Sequence, residues 1–127
     1  MTGTLFTISD MAEDIIDNGV LSKGDVQEIA KFIEDLIDVD TLIELLDITN
    51  NLSPDKIDDD MVDLLVAYIK KLFYYEGTIT DRDAIELIAL FDPEEALNPF
   101  ERKVFRKIKT EGYYGKVLRD FMDDHNI

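Results

Sequence analysis

Apolar residues recur along the chain at the three- and four-residue spacing of an amphipathic helix. Each set leaves the opposite face of its helix acidic or mixed, which is the pattern of a helix that packs by one stripe. The spacing predicts an all-α fold, a compact bundle of six to seven short helices near residues 10–17, 23–37, 41–48, 54–74, 81–91, 98–110 and 114–124. The stripe of the second predicted helix consists of Val26, Ile29, Ala30, Ile33, Leu36 and Ile37.

Polar side chains suited to capping a first turn precede several of these helices. Each stands three residues before an acid, which is the pattern of a capping box. Proline stands at the first position of two other helices, where its missing N–H does no harm. The predicted caps are Asp10, Ser22, Thr41 and Thr80, and the two prolines are Pro54 and Pro99.

Strand signals are few and short. Thr4–Ile8 is strand-like, and the extended pieces Val20–Leu21 and Thr78–Ile79 are expected to form at most a small two-stranded contact. No linker is rich enough in Gly or Ser to separate domains, and 127 residues are typical of one domain. We therefore expect a single all-α domain over residues 1–127, with an N-terminal arm at 1–9 and a partly flexible tail at 120–127 that includes a mobile His125.

Two segments of the chain, residues 18–33 and 76–91, share a pattern at a separation of 58 positions. Helices that simply begin with similar caps would explain the match, and so would a duplicated helix–loop–helix unit. Gly19, Leu21, Ser22, Asp25 and Glu28 of the first segment correspond to Gly77, Ile79, Thr80, Asp83 and Glu86 of the second.

The shared motif, Gly-x-[Leu/Ile]-[Ser/Thr]-x-x-Asp, resembles the second half of an EF-hand loop. It is also similar to the loop of the TerB-like helical domains associated with tellurite resistance. This resemblance implies an ion-binding or metal-stress role, with Asp14, Asn18 and Asp25 as ligands in the first loop. The first loop departs from the pattern, because Ile16 stands at one ligand position. The second loop has Leu72 and Tyr74 at two such positions, so we expect no strong calcium site.

Composition excludes several classes of protein. The chain has no Cys and one His, so disulfide scaffolds, thiol nucleophiles and Cys- or His-pair metal sites are excluded. It has 29 acidic and 13 basic residues, a formal net charge of −16, which argues against direct binding to a phosphate backbone. It contains no Gly-rich phosphate loop and no nucleophile motif, so we expect neither an enzyme nor a cofactor.

The sequence carries no targeting or membrane signal. The first residues have no basic region followed by an apolar run, as a signal peptide would. No apolar stretch approaches the roughly 18 residues needed to cross a bilayer. We expect an intracellular, cytoplasmic protein, of a cell or of a virus inside its host cell, that does not bind membranes and is a monomer or a small homo-oligomer.

Candidate binding residues fall into two acidic clusters and one aromatic pair. Acidic clusters also arise as solvated helix faces, and tyrosine pairs often place one ring in a core and one at its margin. On a continuous helix, Asp55, Asp59 and Asp63 would share one face, and Ile57 and Met61 would give the second cluster an apolar centre. The clusters are Asp35, Asp38 and Asp40, and then Asp55, Asp58, Asp59, Asp60 and Asp63, and the aromatic pair is Tyr113 and Tyr114, with Tyr74 and Tyr75 forming a second pair.

Positive charge is concentrated near one end of the chain. Residues 100–127 carry seven basic and five acidic side chains, whereas residues 1–99 carry six basic and 24 acidic ones. One interpretation is that a basic helix folds back and neutralises the acidic body, and another is that it forms a positive contact site. The helix holds Arg102, Lys103, Arg106, Lys107 and Lys109.

Two classes of function remain. The first is a non-catalytic acidic protein-binding module, such as a phage- or microbe-encoded inhibitor, that occupies a basic surface of a nucleic-acid-handling protein. Its carboxylates would stand where that surface otherwise meets phosphates. The second is a degenerate EF-hand-like or TerB-like domain with an ion-binding or metal-stress role, as the loop resemblance implies.

Overall fold

The computed structural model describes residues 8–91 and 97–127, and over these residues the protein is all-α, as predicted. The predicted strand at Thr4–Ile8 lies mostly outside the described residues, and Ile8 is the first residue of α1. The α-helices are α1 (Ile8–Asn18), α2 (Lys23–Phe32), α3 (Val39–Asn50), α4 (Asp60–Phe73), α5 (Asp81–Phe91), α6 (Pro99–Glu111) and α7 (Lys116–Asp124). A 3₁₀ turn covers Pro54–Lys56, and two short strands, β1 (Tyr74–Tyr75) and β2 (Thr78–Ile79), form an antiparallel pair.

The backbone divides into two compact units, an N-terminal unit (Met1–Met61) and a C-terminal unit (Val62–Ile127). In the N-terminal unit, α1 packs against α2 and α3 around the fully buried side chains of Ile29, Leu42 and Leu45. In the C-terminal unit, α5 packs against α7, and the ring of Phe105 contacts those of Phe91 and Phe121 at centroid distances of 4.8 and 5.1 Å. The single-domain organisation stays a prediction.

Each unit contains an isolated backbone bridge between two residues that are distant in sequence. In the N-terminal unit, Leu21 and Ile57 form a parallel bridge, in which the Leu21 N–H donates to the Lys56 carbonyl at 2.9 Å. The Asp58 N–H donates back to the Leu21 carbonyl at the same distance. The Leu21 side chain is buried, so the bridge lies at the edge of the core rather than on the surface.

The C-terminal unit repeats this arrangement. Ile79 and Tyr114 form a parallel bridge, and the Ile79 N–H donates to the Tyr113 carbonyl at 2.9 Å. Both units also place a glycine with positive φ before the bridge, Gly19 at 74° and Gly77 at 94°, where any residue with a Cβ would be strained. This correspondence of turn, bridge and following helix favours a duplicated helix–loop–helix unit as the origin of the sequence match.

The hydroxyl caps of the repeated segments are confirmed. The Ser22 Oγ accepts the Asp25 N–H at 3.2 Å while the Asp25 carboxylate accepts the Ser22 N–H at 3.0 Å, which completes a capping box. The Thr80 Oγ1 accepts the Asp83 N–H at 3.3 Å. A box at Asn98 precedes α6, whose first residue is Pro99 as predicted.

Two predicted caps are wrong, and two predicted helices differ in extent from the observed ones. Asp10 lies inside α1, and Thr41 lies inside α3, which instead begins after Asp38. α2 ends at Phe32 rather than near residue 37. The predicted helix at 54–74 is interrupted, because Ile57 is extended (φ −108°, ψ 122°) in order to pair with Leu21.

The extended pieces form more contacts than predicted. β2 pairs with β1, so that Tyr74 lies opposite Ile79 and Tyr75 opposite Thr78. The two residues of the turn, Glu76 and Gly77, both have positive φ, which matches the right-handed twist of a tight hairpin.

Candidate functional site

The connection between α2 and α3 places an exposed segment next to the core of the N-terminal unit. α2 closes with the Ile33 N–H donating to the Ile29 carbonyl at 2.9 Å, and the Leu36 N–H then donates to the Ile33 carbonyl at 3.0 Å. Asp38 is extended and begins α3 by accepting the Thr41 N–H at 2.7 Å. Helical geometry is therefore lost between residues 33 and 38, and the apolar stripe of α2 stops before Leu36.

Three large apolar side chains are exposed in this connection and the following helix. Leu36, Ile37 and Ile43 have 36%, 61% and 45% of their surface exposed, although the spacing of the sequence had assigned the first two to a buried stripe. Single exposed apolar residues are ordinary, so the distinguishing feature here is that three of them lie close together in sequence. We call residues 34–44 the junction segment.

The junction segment is strongly acidic. Asp35 and Asp40 are exposed, whereas the Asp38 carboxylate is used to cap α3. Hydrogen bonds from Thr41, first from its side chain and then from its backbone, hold the pKa of Asp38 below its ordinary value. The Asp38 carboxylate is therefore ionised at neutral pH, and it already accepts a hydrogen bond from the first turn of α3. Between Lys31 and Lys56 the chain has seven acidic side chains and no basic one.

Most of the negative charge of the chain belongs to the N-terminal unit. The N-terminal unit carries 16 acidic and three basic side chains, a net charge of −13. The C-terminal unit carries 13 acidic and ten basic side chains, a net charge of −3. The negative field that would attract a basic partner thus belongs mainly to the unit that contains the junction segment.

The second predicted cluster, residues 55–63, is not the surface that the sequence predicted. Asp55 lies in the 3₁₀ turn, Asp59 in the next turn and Asp63 in α4, so the three do not share a helix face. The prediction that Ile57 and Met61 form an apolar centre of this surface is also wrong, because both side chains are buried.

Several carboxylates of this second cluster already have partners within their own unit. Asp58 Oδ1 accepts the Asp60 N–H at 2.9 Å, which begins α4. Asp60 forms an ion pair with Lys23 at 3.5 Å, and Asp63 forms one with Lys107 at 3.1 Å. A partner would have to replace these contacts, whereas Asp35 and Asp40 have exposed side chains next to exposed apolar ones.

The two tyrosine pairs differ in exposure. Tyr113 is buried and Tyr114 is half-buried at the Ile79 bridge, so only a small part of this pair is exposed to solvent. The Tyr113 hydroxyl donates to Glu111 at 3.3 Å, and burial, followed by the charge of Glu111, raises the pKa of Tyr113. Tyr74 and Tyr75 are the exposed pair, at 40% and 64% of their surface.

Basic side chains of α6 contact residues of the C-terminal unit, to which the helix itself belongs. Lys107 pairs with Asp63 of α4, which agrees with the interpretation that this helix neutralises acidic side chains. Arg102 donates from Nη1 to the His125 carbonyl at 2.8 Å and from Nη2 to the Asn126 carbonyl at 3.1 Å. The His125 ring also lies 4.4 Å from the Phe121 ring, so the structure gives the predicted mobile tail specific partners.

The first predicted ion-binding loop brings only some of its ligands together. Asp14 and Asp25 border one small cavity of about 130 Å³ together with Glu28, but Asn18 does not. The Asp25 carboxylate is also held by the capping box with Ser22. Across residues 8–91 and 97–127, no three acidic or histidine side chains are arranged so that they could hold a metal ion.

Calcium is expected to have no specific effect on stability. Millimolar CaCl₂ should raise the melting temperature no more than NaCl of equal ionic strength, because the described residues contain no group of three suitable ligands. Even a weak site, with a dissociation constant of about 10⁻⁴–10⁻³ M, would stabilise the folded chain by linkage and would therefore be detected. Thermal melts in the two salts, followed by circular dichroism, measure the difference. A calcium-specific increase that disappears in Asp14→Asn would establish the first loop as a site.

Comparison with known proteins identified no relative. No protein-family model matches the chain, and neither a curated protein nor a solved structure was found to match it. In the described part of the chain, none of the helices has the length and apolarity required to pass through a membrane.

Proposed function

We propose that this protein is a non-catalytic binding module whose N-terminal unit attaches to a basic surface of another protein through the junction segment. The observation that carries the proposal is the exposure of Leu36, Ile37 and Ile43 within a stretch that has seven acidic and no basic side chains. An apolar centre with a polar rim is the usual anatomy of a protein interface.

The two kinds of side chain have different roles in this proposal. Apolar contacts at the centre of an interface supply most of the affinity, and a few of them dominate it. Carboxylates around them steer the approach and select a positively charged partner. Ile37, with the most exposed side chain of the three, is the principal apolar anchor, and Asp35 and Asp40 are the steering charges.

The partner that fits this surface is a protein whose binding groove normally receives nucleic acid. Such a groove carries Lys and Arg side chains placed to meet phosphates, and a surface rich in carboxylates competes for the same positions. The N-terminal unit, with its net charge of −13, supplies such a surface. Occupation of the groove would inhibit its nucleic-acid binding, which is the mode of action expected of a phage- or microbe-encoded inhibitor.

Partner capture with matched variants tests this proposal. The wild-type protein is immobilised, exposed to an extract of the cells in which it is made, and eluted with NaCl. We expect a basic protein that is also released by duplex DNA. The retained protein should be lost from a column carrying Leu36→Ser/Ile37→Ser, because removal of an interface anchor typically costs more than about 1 kcal/mol of binding free energy.

Binding kinetics then separate the two roles. Asp35→Asn/Asp40→Asn should slow association, and wild-type association should fall on the order of tenfold between about 50 and 150 mM NaCl, since steering is screened by salt. Ile37→Ser should instead accelerate dissociation. The control is Glu13→Gln/Asp17→Asn, which removes two exposed charges from α1 of the same unit. If the control slows association as much as the junction variant does, or if the captured proteins do not depend on residues 36 and 37, the proposal is wrong.

A further inference from the structure

Two tyrosine rings and one lysine form a corner in the C-terminal unit. The rings of Tyr74 and Tyr113 are nearly perpendicular, at 83°, and their centroids are 5.5 Å apart. Lys70 Nζ lies 5.0 Å from the centroid of each ring. A cation within about 6 Å of an aromatic centroid is attracted by the negative face of the ring, so this corner holds a cation by two rings at once.

The corner is fixed by the backbone rather than by the lysine. Tyr74 lies opposite Ile79 in the antiparallel hairpin, and the Ile79 N–H donates to the Tyr113 carbonyl at 2.9 Å. Both tyrosines are thus held by the same residue, whose own side chain is fully buried. A ligand that binds there does not have to order the rings first, which reduces the free-energy cost of binding.

The lysine itself is not anchored in the same way. Lys70 is exposed on the last turn of α4, and its flexible stem allows the ammonium group to return to water. Tyr74 is 40% exposed, whereas Tyr113 is buried beside Lys70 and Tyr74. Glu111, which accepts the Tyr113 hydroxyl hydrogen bond at 3.3 Å, places a carboxylate next to the corner.

We propose that the corner formed by Tyr74 and Tyr113 is a binding site for an arginine side chain of a protein partner, and that Lys70 occupies it until that arginine displaces it. The guanidinium group is planar, is more weakly hydrated than ammonium and stacks on aromatic faces, so arginine competes well against the internal lysine. The site lies in the C-terminal unit and does not depend on the junction segment, so it stands or fails separately from the proposed function.

Titration with a minimal ligand tests the site directly. Nα-acetyl-arginine amide is added to the protein and to Lys70→Met, and the tyrosine ring and Ile79 amide signals are followed by NMR. We expect saturable shifts in Lys70→Met and about fivefold weaker binding to the wild type, because the internal lysine contributes a cation–π contact of its own. The isosteric but neutral Nα-acetyl-citrulline amide should bind to neither protein.

Two further variants in the Lys70→Met background locate the contact. Tyr74→Leu should abolish the shifts, whereas Tyr75→Leu, which removes the more exposed neighbouring ring, should leave the affinity unchanged. Unchanged helical circular dichroism and an unchanged melting temperature before titration show that each variant is folded. The proposal is overturned by an absence of saturable shifts in Lys70→Met, by equal binding of citrulline, by equal affinity of the wild type, or by binding that survives Tyr74→Leu.

Discussion

Replacement of Leu21 or Ile79 by alanine is expected to lower the free energy of unfolding by about 2–5 kcal/mol in each case. Both side chains are buried, with 1% and 0% of their surface exposed, and each belongs to a parallel bridge of its own unit. Loss of the branched side chain removes apolar surface from the core and leaves a cavity that the bridged backbone fills poorly. Chemical denaturation of the two variants, with the midpoint and slope both fitted, measures the effect.

Exposed neighbours provide the matched controls for this prediction. Val20→Ala lies next to Leu21, and Ile85→Ala lies on α5 after Ile79, and both side chains are exposed, at 43% and 60%. Each control should change stability by less than about 0.5 kcal/mol. A small effect of Leu21→Ala combined with a large effect of Ile79→Ala would show that the two bridges are not equivalent, and would weaken the interpretation of the chain as a duplication.

Gly115→Ala is expected to destabilise the protein by about 1–2 kcal/mol, while Gly24→Ala should stabilise it by about 0.5 kcal/mol. A Cβ at residue 115 would lie 2.7 Å from Asp81 Oδ1, the atom that accepts the Val117 N–H at 3.0 Å. Since α7 has no side-chain cap of its own, displacement of Asp81 removes the cap of that helix. At residue 24 a Cβ would meet only Ser22 Oγ at 3.8 Å, so alanine fits there without strain. Alanine lowers the conformational entropy of the unfolded chain, and this raises the free energy of unfolding.

A double-mutant cycle isolates the cause of the Gly115 effect. In an Asp81→Ala background the Gly115→Ala substitution should cost nothing, because the clash and the cap are both absent already. Thermal unfolding of the four proteins gives the coupling. Equal costs of Gly115→Ala in both backgrounds would mean that the glycine is needed for its backbone conformation and not for the contact with Asp81.

The two binding proposals concern different units and therefore different variants. The junction segment combines apolar exposure with the charge of the N-terminal unit, whereas the proposed arginine site at Tyr74 and Tyr113 lies in a unit of net charge −3. A partner with a basic groove could engage either one alone. Variants at Ile37 and at Tyr74 distinguish the two, because each leaves the other site intact.

Local sequence determined the helical class and most helix starts of this protein. The apolar spacing repeats every three to four residues, and a capping box at Ser22 or a proline at residue 99 satisfies or avoids free N–H groups within one turn. These interactions involve residues that are close in sequence, so they are visible without a structure. The match between residues 18–33 and 76–91 was visible for the same reason.

Only the tertiary structure decided where helical patterns stop and which apolar side chains near the acidic clusters are exposed. Ile57 leaves the helix because it pairs with Leu21, 36 positions earlier, and this pairing buries the apolar residue that the sequence had placed in a binding surface. α2 ends at Phe32 and α3 begins after Asp38, so Leu36 and Ile37 lie in the connection between the two helices and are exposed. Helical spacing alone does not show where a helix stops, and it carries no information about backbone pairings between residues that are distant in sequence.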